Sequence, residues 1–296
     1  MSSGELMRRL GLAPGTRAIV LNADDVGGCN ASVQACIGLA HAGRLGSVSA
    51  LTPASWFPAV ARQAGSTNLD VGVHLTLTSE WADCRWQPVT GTASASLADE
   101  HGFFHACASA VHRDAELLQA RAELWAQVLR ARRMGVDVTH VDSHMLTLWH
   151  PRLMPLYVDL SRELRLANGL VRLSAEQVQH LCRISAEDAA QVADQLRRAD
   201  AEGLVAFDHW AQMPLDPGRS GMRDLAGVLD SLQPGLTFLV CHPAVDSPEL
   251  RAMASDWPAR VRDHEMLRSG AWHDALREAD VELVGMRRVR AAMFAD

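Results

Sequence analysis

The chain has 296 residues, of which 48% are hydrophobic and 21% charged, and a formal net charge of −7 at pH 7. This is enough chain for a full hydrophobic core, in one large domain or two small ones, and the acidic balance without a basic block speaks against a nucleic-acid partner. All 28 basic residues other than histidine are arginine, which excludes Schiff-base catalysis, pyridoxal-phosphate attachment and a P-loop lysine.

In chain order, apolar β-branched runs predict strands at roughly 17–23, 47–52, 70–77, 137–143, 169–173, 203–208, 236–241 and 281–285. Helical periodicity predicts helices at 30–43, 54–65, 112–134, 151–167, 185–201, 219–232 and 257–277. Asn30 and Ser185 are expected N-caps, and Gly135 and Gly169 stand where helices should stop. On the 112–134 helix, Leu117, Leu118, Leu124, Trp125 and Leu129 are expected to face the core rather than a partner chain. Strands alternating with helices imply a parallel sheet with helices outside. About eight strands suggest an α/β fold of the (β/α) barrel type, with a doubly wound open sheet as the alternative. No linker or repeat divides the chain, so residues 1–296 are expected to form one catalytic barrel domain.

The connection at 78–111 breaks this rhythm. It holds Glu80-Trp81 and Arg85-Trp86, then His101-Gly102-Phe103-Phe104-His105, and carries no clear strand. Long loops of this kind are often lids or substrate walls. Trp81 and Trp86 would suit sugar rings, or would simply pin the loop to the barrel rim.

The six cysteines, Cys29, Cys36, Cys84, Cys107, Cys182 and Cys241, form no C-x-x-C pair. A disulfide framework is not expected, and a reducing, cytoplasmic setting fits. No leader-like apolar region or bilayer-length apolar stretch is present, so no membrane partner is expected.

Chemistry concentrates at the strand ends. Asn22-Ala23-Asp24-Asp25-Val26-Gly27 follows the first apolar run, and paired carboxylates there are costly unless they meet a cation or handle protons. Taken alone, this stretch could equally be a polar turn. Gly72-Val73-His74-Leu75, Thr139-His140-Val141-Asp142-Ser143-His144 and Leu239-Val240-Cys241-His242 each end a similar run with histidine. Imidazole and carboxylate are the ligands of a catalytic divalent site that keeps a position open for water. In a barrel, catalytic residues lie at the C-terminal strand ends, where Asp24, Asp25, His74, His140, Asp142, His144, Asp208, His209 and His242 are expected. If the fourth strand persists, His140, Asp142 and His144 share a face. They cannot all be equal ligands unless the chain bends at Ser143, so one reaches the metal and the others orient it.

These four ordered motifs resemble those of the YdjC/ChbG-type carbohydrate deacetylases, over nearly the whole chain. The resemblance implies a distorted (β/α) barrel similar to polysaccharide deacetylases. It implies a metal-dependent hydrolase that removes an acetyl group from an N-acetylated amino sugar or small oligosaccharide. By position, Asp25, His74 and His144 would bind one divalent ion, Mg or Zn, with Mn or Co as alternatives. Asp24 would be the general base, and His242 the general acid or transition-state stabiliser. His140 and Asp142 would stand behind the ligands, and Arg172, at the end of the fifth strand, would contact substrate or orient a carboxylate, a solvated or salt-bridged strand-end arginine being the equal alternative; with the Trp81 and Trp86 of the long connection it completes the candidate substrate contacts. Where family members often carry further histidines, this chain continues Met145-Leu146-Thr147-Leu148, which implies altered substrate contacts. A phosphoesterase on the same barrel, a non-catalytic sugar-binding barrel and a purely structural barrel are the competing readings, and association through outer helices is an expected possibility.

Overall fold

Apolar β-branched runs become strands, and the first of them organises the rest. In the computed structural model, which describes residues 2–216 and 221–295, the strands are β1 (Arg17–Val26), β2 (Ser47–Ala50), β3 (Asp70–Leu75), β4 (Val138–Ser143), β5 (Ala167–Asn168), β6 (His209–Gln212), β7 (Gly235–Cys241) and β8 (Val281–Leu283). Their pairings are parallel, in the order β5-β4-β3-β2-β1-β7-β6. β8 pairs with the first three residues of β1, while β2 pairs with Asn22, Ala23 and Val26 further along, so two strands share one edge of β1. The helices are α1 (Ser3–Arg9), α2 (Asn30–His41), α3 (Phe57–Ala64), α4 (Ala108–Asp114), α5 (Leu117–Arg133), α6 (Met154–Leu164) and α7 (Ala175–Cys182). They continue with α8 (Ala186–Ala201), α9 (Met222–Ser231), α10 (Pro248–Met253), α11 (Trp257–Ser269), α12 (Ala271–Glu278) and α13 (Met286–Met293).

The sheet curls into the expected distorted (β/α) barrel. β2, β3 and β4 are buried along their whole length, and β1 and β7 are buried apart from their first residues. That is the pattern of parallel strands wrapped by helices. The barrel closes weakly. Beyond β5, Val171 forms an isolated bridge to Phe207. Around it the Phe207 N–H donates to the Leu170 carbonyl at 3.4 Å and the Arg172 N–H to the Phe207 carbonyl at 2.9 Å.

Several expectations shift at this seam. The fifth strand is two residues long and precedes the expected 169–173, and the sixth follows the expected 203–208. Gly169 ends no helix, because α6 stops at Leu164 with Arg165 left-handed. Gly169 instead lets the chain pass beside Asp142, whose Cβ would lie 3.1 Å from an added Cβ. Asp208 and His209 open the sixth strand rather than closing it, so they lie at the end away from the site. The Asp208 carboxylate is occupied there by the Leu236 N–H at 2.9 Å and the Ser3 hydroxyl at 2.9 Å.

The helices also differ in detail. Cys29, not Asn30, is the N-cap of α2, whereas the Ser185 hydroxyl caps α8 by accepting from the Asp188 N–H at 3.0 Å. The expected 257–277 helix breaks into α11 and α12 at Gly270, where φ is 78°. The first two positions of the expected 219–232 helix lie outside the described residues. On α5 the buried stripe is Ala120, Glu123, Leu124, Gln127, Val128 and Ala131, at helical spacing. Leu117, Leu118 and Leu129 are exposed rather than core.

The 78–111 connection and the segment leading into it are anchored by two polar residues of that stripe. The Glu123 carboxylate accepts from the Val89 N–H at 3.0 Å and the Thr90 N–H at 2.9 Å. Gln127 pairs with both backbone groups of Thr76, at 3.0 and 2.7 Å. Among the described residues no helix is long and apolar enough to cross a membrane.

Candidate active site

Neighbouring residues on a strand face opposite ways, so Asp24 and Asp25 can share a site only if the strand is distorted. It is. The β1–β2 register slips between Ala23 and Val26, and Asp25 has φ 61°. A bulge with one left-handed residue re-aims side chains in this way, and Asp tolerates that conformation better than most residues. The turn is tied by the Gly28 N–H donating to the Asp25 carbonyl at 3.1 Å. Gly28 leaves room for Trp81, whose ring would lie 2.9 Å from an added Cβ.

β3 and β4 bring the next groups in register, with His74 opposite Asp142. The His74 Nδ1 lies 2.7 Å from the Asp142 carboxylate, and its Nε2 faces Asp25 at 3.4 Å and Asp24 at 3.9 Å. The strand ends at Ser143 and the chain bends there, as the spacing of the histidines requires. The bend swings His144 to place its Nδ1 3.0 Å from Asp25 and its Nε2 3.0 Å from Glu80. His140 stays deeper in the strand. It is held by the Ser49 hydroxyl at 3.0 Å and the Thr139 hydroxyl at 2.7 Å. Gly72 is obligatory beneath it, since an added Cβ would lie 2.4 Å from the ring.

Asn22 ties the groups together. Its amide donates to Asp24 at 2.6 Å, to the Ser49 hydroxyl at 2.8 Å and to Asp142 at 3.3 Å. On the opposite side His242 follows β7, its Nε2 4.0 Å from Asp25. Its backbone N–H donates to Asp263 at 2.9 Å, and its buried Nδ1 has no hydrogen-bond partner among the described residues. Arg260, from α11, donates to Asp25 at 2.9 Å and to Asp256 at 2.9 and 3.0 Å. It also lies under the Trp81 ring, 5.3 Å from its centroid.

Charge is unevenly shared among these buried groups. Burial raises Asp24 well above the ordinary carboxylate range, and the nearby Asp142 carboxylate adds to the rise. Burial also opposes ionisation of Asp25, but the Arg260 guanidinium and His144 outweigh it and hold Asp25 well below that range. Asp142 is lowered against its own burial by His74. Burial disfavours charged His144, yet Glu80 and Asp25 raise it to about 9. His242 and His140 are each lowered to about 4, in both cases chiefly by burial.

Asp25, His74 and His144 bring three ligand-type atoms within 4.8 Å of one another, and Asp24, His74 and Asp142 form a second such group. Either could hold a metal ion. The donor chemistry fits the first better. His74 already engages Asp142 through Nδ1 and presents Nε2, the arrangement of a metal-ligating histidine steadied by a carboxylate.

Asp24, Asp25, His74, His144, His242 and Arg260 line a cavity of about 370 Å³ with Glu80, Trp81, Met145, Leu146, Trp210, Gln212, Leu215, Val240 and Asp256. Two residues expected at the substrate do not line it. Trp86 is buried, its indole N–H donating to the Thr78 carbonyl at 2.9 Å, and so pins the long connection. Arg172 sits at the seam, paired with Asp200 at 2.7 Å and Asp208 at 3.1 Å. Glu80 and Arg260 were not expected at the site. Glu80 lay within the lid segment without a motif, and nothing local links Arg260 to a carboxylate 235 residues earlier. The turn after His144 is strained. Met145 (φ 50°) and Leu146 (φ 51°) are consecutive left-handed residues, each costing about 1–3 kcal/mol.

A sequence profile of the YdjC-like protein family matches residues 18–278. A carbohydrate deacetylase of Thermus thermophilus is 33% identical over 98% of this chain and 100% of its own length. One from Thermoanaerobacter pseudethanolicus is 25% identical over 84% of this chain and 90% of its own. In fold, the chain is similar to an Enterococcus faecalis structure described as a cellobiose-phosphate cleavage protein. The TM-score is 0.75 at 23% identity, covering 92% of this chain and 98% of that one.

Proposed function

This chain belongs to the YdjC-like family, and we propose that it is a metal-dependent deacetylase that hydrolyses the amide of an N-acetylated amino sugar or small oligosaccharide. The observation that carries this is the buried Asp25–His74–His144 group with a spare carboxylate, Asp24, beside it and His242 opposite. Carbohydrate deacetylase relatives support the carbohydrate substrate.

Asp25, His74 and His144 would hold one divalent ion, magnesium or zinc, with manganese or cobalt as alternatives. When bound, such an ion lowers the pKa of a water from about 15.7 toward about 7 and polarises the carbonyl. Asp142 fixes the His74 ring, and Glu80 and Arg260 fix His144 and Asp25. Asp24, raised above an ordinary carboxylate, takes the proton of the attacking water as general base. Asn22 holds Asp24 in place for that transfer. His242, neutral at pH 7, serves the transition state as a hydrogen-bond donor to the developing oxyanion. Trp81 offers a face to a sugar ring.

A phosphoester substrate is less well served. Among the described lining residues the sole arginine is Arg260, and Asp25 and Asp256 already share it.

The test is Asp24→Asn, with metal binding followed by calorimetry and acetate release from N-acetylated sugars. Turnover should fall by about 10²–10⁴ while roughly stoichiometric metal binding persists, and His144→Ala should lose the metal. Unchanged turnover in Asp24→Asn would remove its role as base, and no metal binding by the wild type would remove the mechanism.

A further inference from the structure

We infer that two copies of this chain associate through the outer face of α5, with the two helices antiparallel about a two-fold axis.

The first observation is that α5 carries an apolar stripe on its outer side as well as its inner one. The inner stripe, Ala120 to Ala131, is buried against the barrel. A surface helix ordinarily turns a charged or polar face outward. Here Leu118 is 83% and Leu129 44% exposed, with Ala122 exposed and Trp125 partly buried between them. Single exposed apolar side chains are ordinary. These four recur at steps of four, three and four residues, the spacing of a seam along which one helix packs on another. The largest of them is already held in place. The Trp125 indole N–H donates to Glu163 of α6 at 3.2 Å. The Arg121 guanidinium, paired with Glu163 at 2.9 Å, lies 4.1 Å from the Trp125 ring centroid. An ordered Trp loses little freedom on being covered, and Trp and Arg are common interface anchors.

The second observation names the occupant. A two-fold axis crossing α5 midway between Glu123 and Leu124 brings its residues level with those of the second copy in reverse order. Leu118 then meets Leu129 of the second copy, and Trp125 meets Ala122, so the largest side chain of the stripe falls against the smallest. The ends match in charge. The last turn of α5 carries Arg130, Arg132 and Arg133. These come level with the exposed Glu116 of the second copy and with its Asp114, which also pairs with Arg113. Opposed helix dipoles favour the same direction. A parallel pairing would set Trp125 against Trp125 and arginines against arginines, and like charges across an interface are costly. A self-complementary contact about a two-fold axis is the commonest form of homodimer.

The experiment is sedimentation velocity of the full chain over a concentration series, with thermal melts of every variant. One helix pair is a small contact, at the weak end of interface sizes, so the wild type should pass from monomer to dimer with a Kd of about 1–100 µM. Leu118→Glu and Leu129→Glu each put two charges into the seam and should raise Kd by about tenfold or more, with melting unchanged. Ala122→Trp should weaken the dimer by a similar factor, because it meets Trp125. Adding Trp125→Ala exchanges the two sizes across the axis and should restore association. A wild type that stays monomeric to about 1 mM, or a dimer unmoved by both glutamate variants, overturns the inference. So does Leu118-dependent binding of a monomer to anionic phospholipid vesicles, which would give this face to a membrane. A dimer that Ala122→Trp leaves intact overturns the antiparallel pairing.

Discussion

The two flanks of the barrel are built differently. On one, β1, β3 and β4 are six to ten residues long, and they supply Asp24, Asp25, His74, Asp142 and, just past the last strand, His144. On the other, β5 has two residues and β6 four, the seam rests on one bridge, and its charged residues neutralise each other. Fixed geometry among ligands needs long, fully buried strands whose rotamers are locked by neighbours. The seam carries no such demand, and there the sheet thins out. The comparison teaches that the strand ends are not equivalent sites, even in a barrel where all of them could in principle carry chemistry.

The largest expected effect falls on the flank that holds the ligands. Gly72→Ala should destabilise the protein by about 3 kcal/mol through overpacking, because the new Cβ would meet His140 at 2.4 Å. Urea denaturation measures this. Adding His140→Ala should recover part of the loss, because the two sites touch. An additive double mutant would show that the clash is not the cause.

A smaller effect is expected at the seam. Arg172→Ala removes two ion pairs and a 2.8 Å hydrogen bond to the Val205 carbonyl. It should cost about 1–2 kcal/mol of stability while kcat/KM stays within about twofold, since Arg172 lies outside the cavity. A tenfold loss of activity at unchanged stability would return Arg172 to the substrate and break the contrast between flanks.

The smallest effect is a pH slope. His150 stacks on His112 with ring centroids 4.0 Å apart, and burial, with His112 beside it, lowers it to about 4. His140 is lowered to about 4 as well. Between pH 4 and the ordinary histidine value near 6.5 the unfolded chain binds more protons at these positions, so stability rises with pH across that window. Groups raised in the folded state oppose this rise: the unfolded Asp24 carboxyl is ionised across the window, and the unfolded His144 imidazole starts to lose its proton near 6.5 while the folded one, raised to about 9, keeps it. Thermal melts from pH 4.5 to 6.5 should therefore show the Tm of His150→Gln rising less with pH than that of the wild type. An equal slope in the variant would assign the effect to the other histidines.

The parallel barrel was legible because buried strands write themselves as continuous apolar runs, and the same runs located Asp25, His74, His144 and His242. The seam was not legible. Residues 170–171 and 204–207 are as apolar as true strands, but among the described residues a single bridge, Val171 to Phe207, joins them. The bulge at Asp25 was hidden too, since a two-residue period gives no reason for adjacent carboxylates to converge. Arg260 was invisible because its partner is distant in sequence. The aromatic residues of the long connection looked alike, yet Trp86 turns inward as an anchor while Trp81 faces the cavity. Only burial separates them.

The two indoles of that connection, Trp81 and Trp86, stand edge to face with centroids 5.4 Å apart. Chromophores this close couple their transitions, so the pair should give a signed couplet in the circular dichroism spectrum. One partner lies against Arg260 at the cavity and the other is locked to the scaffold, so ligand entering beside Trp81 would tilt one oscillator against a fixed reference. The site thus carries its own optical gauge of occupancy, readable without a labelled substrate.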